Sequence, residues 1–390
     1  AIDGVRLRGH PAGRPSVIHA FRAVGTSAQP VRRLGAEAPG GLALPDASPT
    51  ASHMYSPRGV WTDGRTVVAA DSGNHRILIW HTFPDHDGAP ADVVLGHADF
   101  TSEGPAAGVG DTARGMYLPT GVAVIGRHLV VADAWHHRVL VWDGIPQTDF
   151  AAPDHVIGQK DLMSVEPNRG GAPDLDTLYW PFGFAVVAGV FWVADTGNRR
   201  VLGWRAGLPL DGRPADVLLG QADASAREDN SGELGDATFR WPHALCGDEQ
   251  TLYVADAGDH RVLGFSPPGS PTADLVLGQQ SADVADEFKN RPQGPHRLRF
   301  PYAAVSDESR LFVADTSNNR VLVWHGLPRD GAGLPADTVL GQADLDANGE
   351  NRWDAVADDS LCWPYGLSLA GDLLAVADSG NNRVVFWQVD

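Results

Sequence analysis

The chain writes one twelve-residue phrase six times. Val193-Ala-Asp-Thr-Gly-Asn-Arg-Arg-Val-Leu-Gly-Trp204 has counterparts at 70–80, 131–142, 254–265, 313–324 and 376–387. Its arginines stand at Arg76, Arg138, Arg200, Arg261, Arg320 and Arg383, in steps of 62, 62, 61, 59 and 63 residues. A period that even, held over most of a 390-residue chain, is the signature of stacked repeats, none able to bury its apolar face alone. One closed domain is therefore expected in place of the two or three that length alone suggests.

Each repeat carries three pieces. The first surrounds a proline, as in Tyr55-Ser-Pro-Arg-Gly-Val60 and Cys362-Trp-Pro-Tyr-Gly-Leu367. Proline is tolerated at a strand's first residue and not in its paired interior. The small residue two places on (Gly59, Gly121, Gly183, Ala244, Ala303, Gly366) suits six innermost strands crowded round one axis. The second piece is the repeated phrase itself: an apolar run, a polar Asp-x-x-Asn loop, and a second apolar run ending in Trp or Phe. Its β-branched content and short runs indicate strands. The third, Ala91-Asp-Val-Val-Leu-Gly96 with its echoes at 154–158, 215–220, 273–278 and 336–341, is the outer strand.

Four strands in each of six repeats predict an all-β, six-bladed β-propeller with four antiparallel strands per blade. The sixth repeat stops after its third strand. Its missing outer strand is found in Pro30-Val-Arg-Arg-Leu-Gly35, so the last blade is expected to be closed by an N-terminal strand, which removes a free edge. Residues 1–24 match no repeat and are expected to form an N-terminal arm, with 25–390 as the propeller.

The Pro-x-Gly-Val, Val-Ala-Asp-x-x-Asn-x-Arg-Val and Leu-Gly-Gln-x-Asp elements resemble NHL repeats, in particular bacterial arrays with long blade-to-blade loops, over roughly residues 30–390. The resemblance implies the propeller. It implies no single function, since NHL propellers include protein-binding, RNA-binding and enzymatic members; by analogy, an accessory or assembly role beside a larger enzyme is one expectation. The chain also resembles the NHL-type peptidylamidoglycolate lyases, whose zinc-binding histidines follow the inner-strand proline. Only His243 matches that place. A catalytic zinc needs three protein ligands, so no metal and no cofactor is expected.

Function in a propeller belongs where blades differ, at the mouth of the channel. The residue after each inner proline reads Arg58, Thr120, Phe182, His243, Tyr302 and Tyr365; the residue before it includes Trp180, Trp241 and Trp363. Together they describe a mostly apolar rim with a few polar anchors, and they are the candidate ligand or partner site. Two readings stand. One is a non-catalytic scaffold that binds a protein partner, or a small-molecule ligand, through this rim and the loop face. The other is a lyase or hydrolase around His243, metal-dependent if top-loop histidines join His243 as ligands, with Arg58 gripping an anion and Tyr302 or Tyr365 as proton donor. The histidines of the top loops, His75, His136, His137 and His260, are expected to be solvated turn residues.

Other motifs read as structural. An Asp and an Arg five residues apart in all six repeats tie a turn with charge-assisted hydrogen bonds. Cys246 is expected to be a buried filler, and Cys362 lies near the rim; two blades separate them, too far for a disulfide. Asp344-Leu-Asp-Ala-Asn-Gly-Glu350 copies half a calcium loop but has Ala355 where the bidentate Glu belongs. Five long loops (97–116, 159–178, 221–239, 279–298, 342–360) are expected on one face as a recognition surface. The net charge of -19 opposes nucleic acid as a partner. No apolar run spans a membrane, and unpaired thiols point to the cytoplasm.

Overall fold

The structure is a computed structural model that describes residues 28–37, 48–288 and 291–389; the expected arm, 1–24, lies outside them. Six sheets stand around an axis. Blade 1 is built of Gly59–Thr62, Val67–Asp71, Arg76–Trp80 and Val93–Leu95, from the axis outward, and blade 2 of Pro119–Ile125, His128–Asp133, Arg138–Trp142 and His155–Ile157. Blade 3 holds Pro181–Val187, Val190–Asp195, Arg200–Trp204 and Val217–Leu219; blade 4 holds Pro242–Gly247, Leu252–Asp256, Arg261–Phe265 and Leu275–Leu277. Blade 5 holds Pro301–Ser306, Arg310–Asp315, Arg320–His325 and Thr338–Leu340.

Blade 6 takes Pro364–Ala370, Leu373–Asp378 and Arg383–Gln388 from the end of the chain and Gln29–Gly35 from its beginning. The N-terminal strand runs antiparallel to Arg383–Gln388, with Leu34 opposite Val384. The ring closes as the repeat count requires. Blade 4 departs from the four-strand rule. Gly331–Ala332, from the loop that follows the third strand of blade 5, pairs parallel to Leu275–Leu277 as a fifth strand. Arg329 holds that loop down with a salt bridge to Asp248 at 2.6 Å.

The core lies between blades. Ile77 and Ile79 of blade 1 pack with Leu129, Val131 and Leu140 of blade 2, all fully buried. Leu34 and Phe386 of blade 6 join Val67 and Leu78 of blade 1 in the same way. Because strand side chains alternate between faces, every blade feeds two such layers, and no blade has a core of its own. Among the described residues the only helical segments are short 3-10 turns. The glycine at the end of each outer strand has a physical reason: Gly96, for one, sits at φ 94°, where a Cβ would come 2.9 Å from the His75 carbonyl oxygen.

Candidate functional site

The innermost strands build the site. In blades 3 to 6 each starts on its proline, paired with the aspartate that ends the second strand, and the register then slips. The residues skipped are Phe182, His243, Tyr302 and Tyr365. In blade 2 the slip spans Thr120 and Gly121. In blade 1 pairing starts at Gly59, one residue past Arg58. A bulge re-aims a side chain out of the ladder, and all six of these residues line one cavity of about 110 Å³ at the end of the channel where the inner strands begin. Beyond the ring of Val60, Val122, Phe184, Leu245, Ala304 and Leu367 the channel widens to about 520 Å³ at its other end.

The rim residues form a continuous stack. Ring centroids are 4.3 Å apart for Phe182 and His243, 4.4 Å for His243 and Tyr302, and 4.4 Å for Tyr302 and Tyr365. The Arg58 guanidinium lies over the Tyr365 ring, 5.0 Å from its centroid, a cation–π geometry. Thr120 donates its hydroxyl hydrogen to the Phe182 carbonyl at 2.7 Å. Among the described residues Arg58 has no carboxylate partner, and its buried Nε has no acceptor. Burial, and after it the Arg58 charge, pushes His243 down to about 3, so its imidazole is neutral at physiological pH. Burial also raises the Tyr302 and Tyr365 phenols above their ordinary value.

Trp180, Trp241 and Trp363 do not line this cavity. They stand one step outside it, at the same end. Trp180 packs against Trp135 at 5.4 Å, Trp241 stacks on Phe300 at 6.3 Å under the Arg240 guanidinium, and exposed Trp363 donates its indole N–H to Glu350 at 3.3 Å. Tyr55, Trp135 and Trp353 are also exposed.

The long loops gather at this end because the repeated arginines hold them there. Arg138 donates to Asp133 at 2.8 Å, to the Thr112 and Gly115 carbonyls that end one loop, and to the Leu162 carbonyl that begins the next. Arg200 repeats the pattern with Asp195, Asp174, Thr177 and Ala224. All six arginines and their aspartates are fully buried. Burial raises the Asp71, Asp195, Asp315 and Asp378 carboxyls against the pull of their arginines. The pairs are structural, and they do more than tie a turn: in blades 1 to 5 each fastens the segments on both sides to its blade, and in blade 6 Arg383 holds the Ala357 and Ser360 carbonyls of one loop.

The top-loop histidines are not solvated. His136, His137 and His260 are buried and His75 is half-buried. His75, His137 and His260 follow the turn in a left-handed conformation. Their Nδ1 atoms accept the backbone N–H of the residue before the next blade's proline: Leu118 at 3.1 Å, Trp180 at 3.3 Å and Phe300 at 3.2 Å. Asn319 and Asn382 do the same for Trp363 and Ser56 through amide oxygens. His136 instead contacts Asp133 at 2.9 Å. The expectation failed because a polar residue in a turn was read for solvation, while its partner lay about 40 residues away in the next blade. A second tie went unread in the Leu-Gly-Gln motif. The amides of Gln159, Gln279 and Gln342 donate to the carbonyls of His137, His260 and Asn319, and again seven residues down the loop.

Cys246 is buried and Cys362 partly so, both as free thiols. Burial, first among the causes, raises each to about 12, which opposes thiolate chemistry. The Asp344 carboxylate accepts the N–H groups of Asp346 and Ala347 at 2.9 Å, an Asx turn. Among the described residues no three of His, Cys, Asp and Glu come together as a ligand set for a metal ion, so His243 has no co-ligands there.

Residues 116–142 match the family model of the NHL repeat. Among curated proteins, none is similar enough in sequence to count as a relative. Similar solved structures include streptogramin B lyase, at 10% identity over 89% of this chain and 96% of that one, with a TM-score of 0.45. Virginiamycin B lyase from Staphylococcus aureus is 9% identical over 94% and 100%, with a TM-score of 0.46. A nidogen–laminin complex is matched at 17% identity over 69% and 75%, with a TM-score of 0.39. Likeness at this level carries no argument about function.

Proposed function

The chain is an NHL-repeat β-propeller of six blades, and from that premise we propose that it is a binding scaffold. Its channel rim and the surrounding loop face recognise a protein partner or a small ligand, in the manner of an accessory or assembly partner of a larger enzyme. The observation that carries this reading is the convergence: the residue after each inner proline stands outside the ladder, by a bulge in blades 2 to 6 and ahead of the first pair in blade 1, and all six meet at a single mouth. Repetition fixes everything around them and leaves their identities free.

The enzyme reading has one observation in its favour. Arg58, His243, Tyr302 and Tyr365 do converge, with contacts of 4.4 to 5.0 Å between successive members. Their protonation argues the other way. General acid–base catalysis is most effective when a group's pKa lies near the working pH; His243 falls well below it, and both tyrosines are raised above an already high value. Such a rim suits recognition better than proton transfer.

Affinity capture from an extract of the protein's own host tests the proposal, comparing the wild type with an Arg58→Ala, His243→Ala, Tyr365→Ala variant shown to be folded. A partner captured by the wild type and lost by the variant supports it. Identical captured sets remove the rim from the binding surface.

A further inference from the structure

The charge at this end of the propeller is unevenly arranged. Every long loop except 279–298 carries more Asp and Glu than Lys and Arg. Exposed aromatics accompany those loops: Tyr55, Trp135 and Trp363 beside the inner-strand starts, and Trp353 on the loop 342–360 itself. At the centre, half-buried in the channel mouth, is the Arg58 guanidinium, with no carboxylate partner among the described residues and only a tyrosine ring beneath it. A guanidinium offers five N–H donors in a fork that matches a carboxylate. The protein surrounds this cation with rings and leaves its donors for something else.

The size of the mouth limits what that is. Pockets that hold small-molecule ligands usually measure ~300–1,000 Å³, whereas this mouth holds about 110 Å³. It has room for a carboxylate and a few carbon atoms above the apolar ring of Val60, Val122 and Leu245. A group that small cannot cover the aromatic residues outside the mouth, which need a larger body. An internal Asp or Glu would bring a chain in and out of a narrow end-on well. A chain terminus enters it once.

Resting on the scaffold reading above, we infer that the partner is a polypeptide whose free C-terminal carboxylate enters the channel mouth and pairs with Arg58. Its last side chain is small and apolar and rests on the channel floor. The residues just before it are basic, and so complement the acidic loops.

Three probes separate the alternatives: N-acetylalanine, N-acetylalanine amide, and a peptide of alternating lysine and glycine that ends in alanine with a free carboxylate. Binding is read from the NMR signals of the His243 ring, which neighbours the Arg58 charge. N-acetylalanine is expected to give a saturable shift at millimolar concentration and its amide none. The free-acid peptide is expected to bind at least tenfold more tightly than N-acetylalanine. Arg58→Ala abolishes both responses, and Arg58→Lys restores only part of them. Equal binding of acid and amide, or an Arg58→Ala protein that still responds, overturns the carboxylate assignment. N-acetylalanine binding with no gain for the peptide overturns the polypeptide and leaves a small-anion site. If no probe binds while the rim variant still loses its captured partner, this inference fails and the scaffold reading survives.

Discussion

Asp259 breaks a rule that three other blades keep. Asn198, Asn318 and Asn381 each face a second amide across the loop, Asn168, Gln293 and Asn351, at 2.8–3.1 Å. Blade 4 sets Asp259 against Asn230, with the Asp259 side chain 2% exposed. Two carboxylates, Asp256 and Asp259, then share Arg261, at 3.1 and 3.5 Å. Burial, followed by the Asp256 charge, lifts Asp259 to about 7, against the pull of Arg261, Asn230 and Arg240. A folded value above the unfolded one means that the group's stabilising share is whole below about pH 4 and is lost as pH rises through about 7. Three units correspond to ~4 kcal/mol. Because the charges around Asp259 relax as it ionises, half of that or less, ~1–2 kcal/mol, is the expected penalty on the folded state above neutrality. Asp259→Asn removes the charge and restores the amide pair. The variant should be more stable than the wild type by ~1–2 kcal/mol near pH 8, with the gap shrinking near pH 5. Urea midpoints at both pH values, with unchanged m, measure it. A gap that does not vary with pH, or a variant weaker near pH 8, refutes the reasoning.

Other perturbations test the scaffold. Arg200→Ala leaves Asp195 buried and unpaired and frees the ends of two loops, so a loss of ~3–5 kcal/mol is expected in urea unfolding; Arg200→Lys should recover little, because one ammonium cannot reach four acceptors in fixed directions. His137→Asn should be nearly neutral, since Asn319 and Asn382 make the same tie, whereas His137→Ala should cost ~1 kcal/mol. Leu34 is fully buried in the layer between blades 6 and 1, and Leu34→Ala should cost ~2–5 kcal/mol; a midpoint that does not move would mean the N-terminal strand does not hold the ring shut.

The ring was legible because its determinants are local and repeated. Asp195 and Arg200 lie five residues apart, and the closing strand could be found by counting what the sixth repeat lacked. The ties between blades were not legible. His137 reaches Trp180 and Gln159 reaches Glu166 through choices of side-chain direction that no spacing reveals. The fifth strand at Gly331–Ala332 was hidden for a similar reason, since it belongs to one blade in sequence and another in space. The rim was half legible: the residue after the proline was the right proxy for the cavity, and the residue before it marks the surrounding face. The difference is the bulge, which turns one neighbour inward and leaves the other under the cap of the preceding blade.

That same bulge explains how a strict repeat can carry an asymmetric site. A residue inside the ladder must suit two neighbouring strands, whereas a bulged residue owes the ladder nothing and can change without disturbing it. The six rim positions accordingly hold six side chains of five kinds. Departures from the structural rules, by contrast, gather where blade 3 meets blade 4. Arg199 stands where a histidine or asparagine should cap the next blade, and binds Asp229 at 2.6 Å instead. The Trp241 N–H turns to Asp256 at 2.9 Å, and Trp241 is the one pre-proline residue of the six without a positive φ. Asp259 replaces its asparagine in the same blade, and His243 lies on that blade's inner strand. With the cap gone, the Trp241 N–H is satisfied by its own blade, while Thr196 of blade 3 still donates its hydroxyl to the Pro242 carbonyl beside it. Restoring the cap with Arg199→Asn should transfer the Trp241 N–H to the new amide and slow its hydrogen exchange at least tenfold, the equivalent of ~1.4 kcal/mol of added protection. Exchange unchanged at Trp241 would mean that Asp256 already holds the amide as firmly as the caps hold theirs.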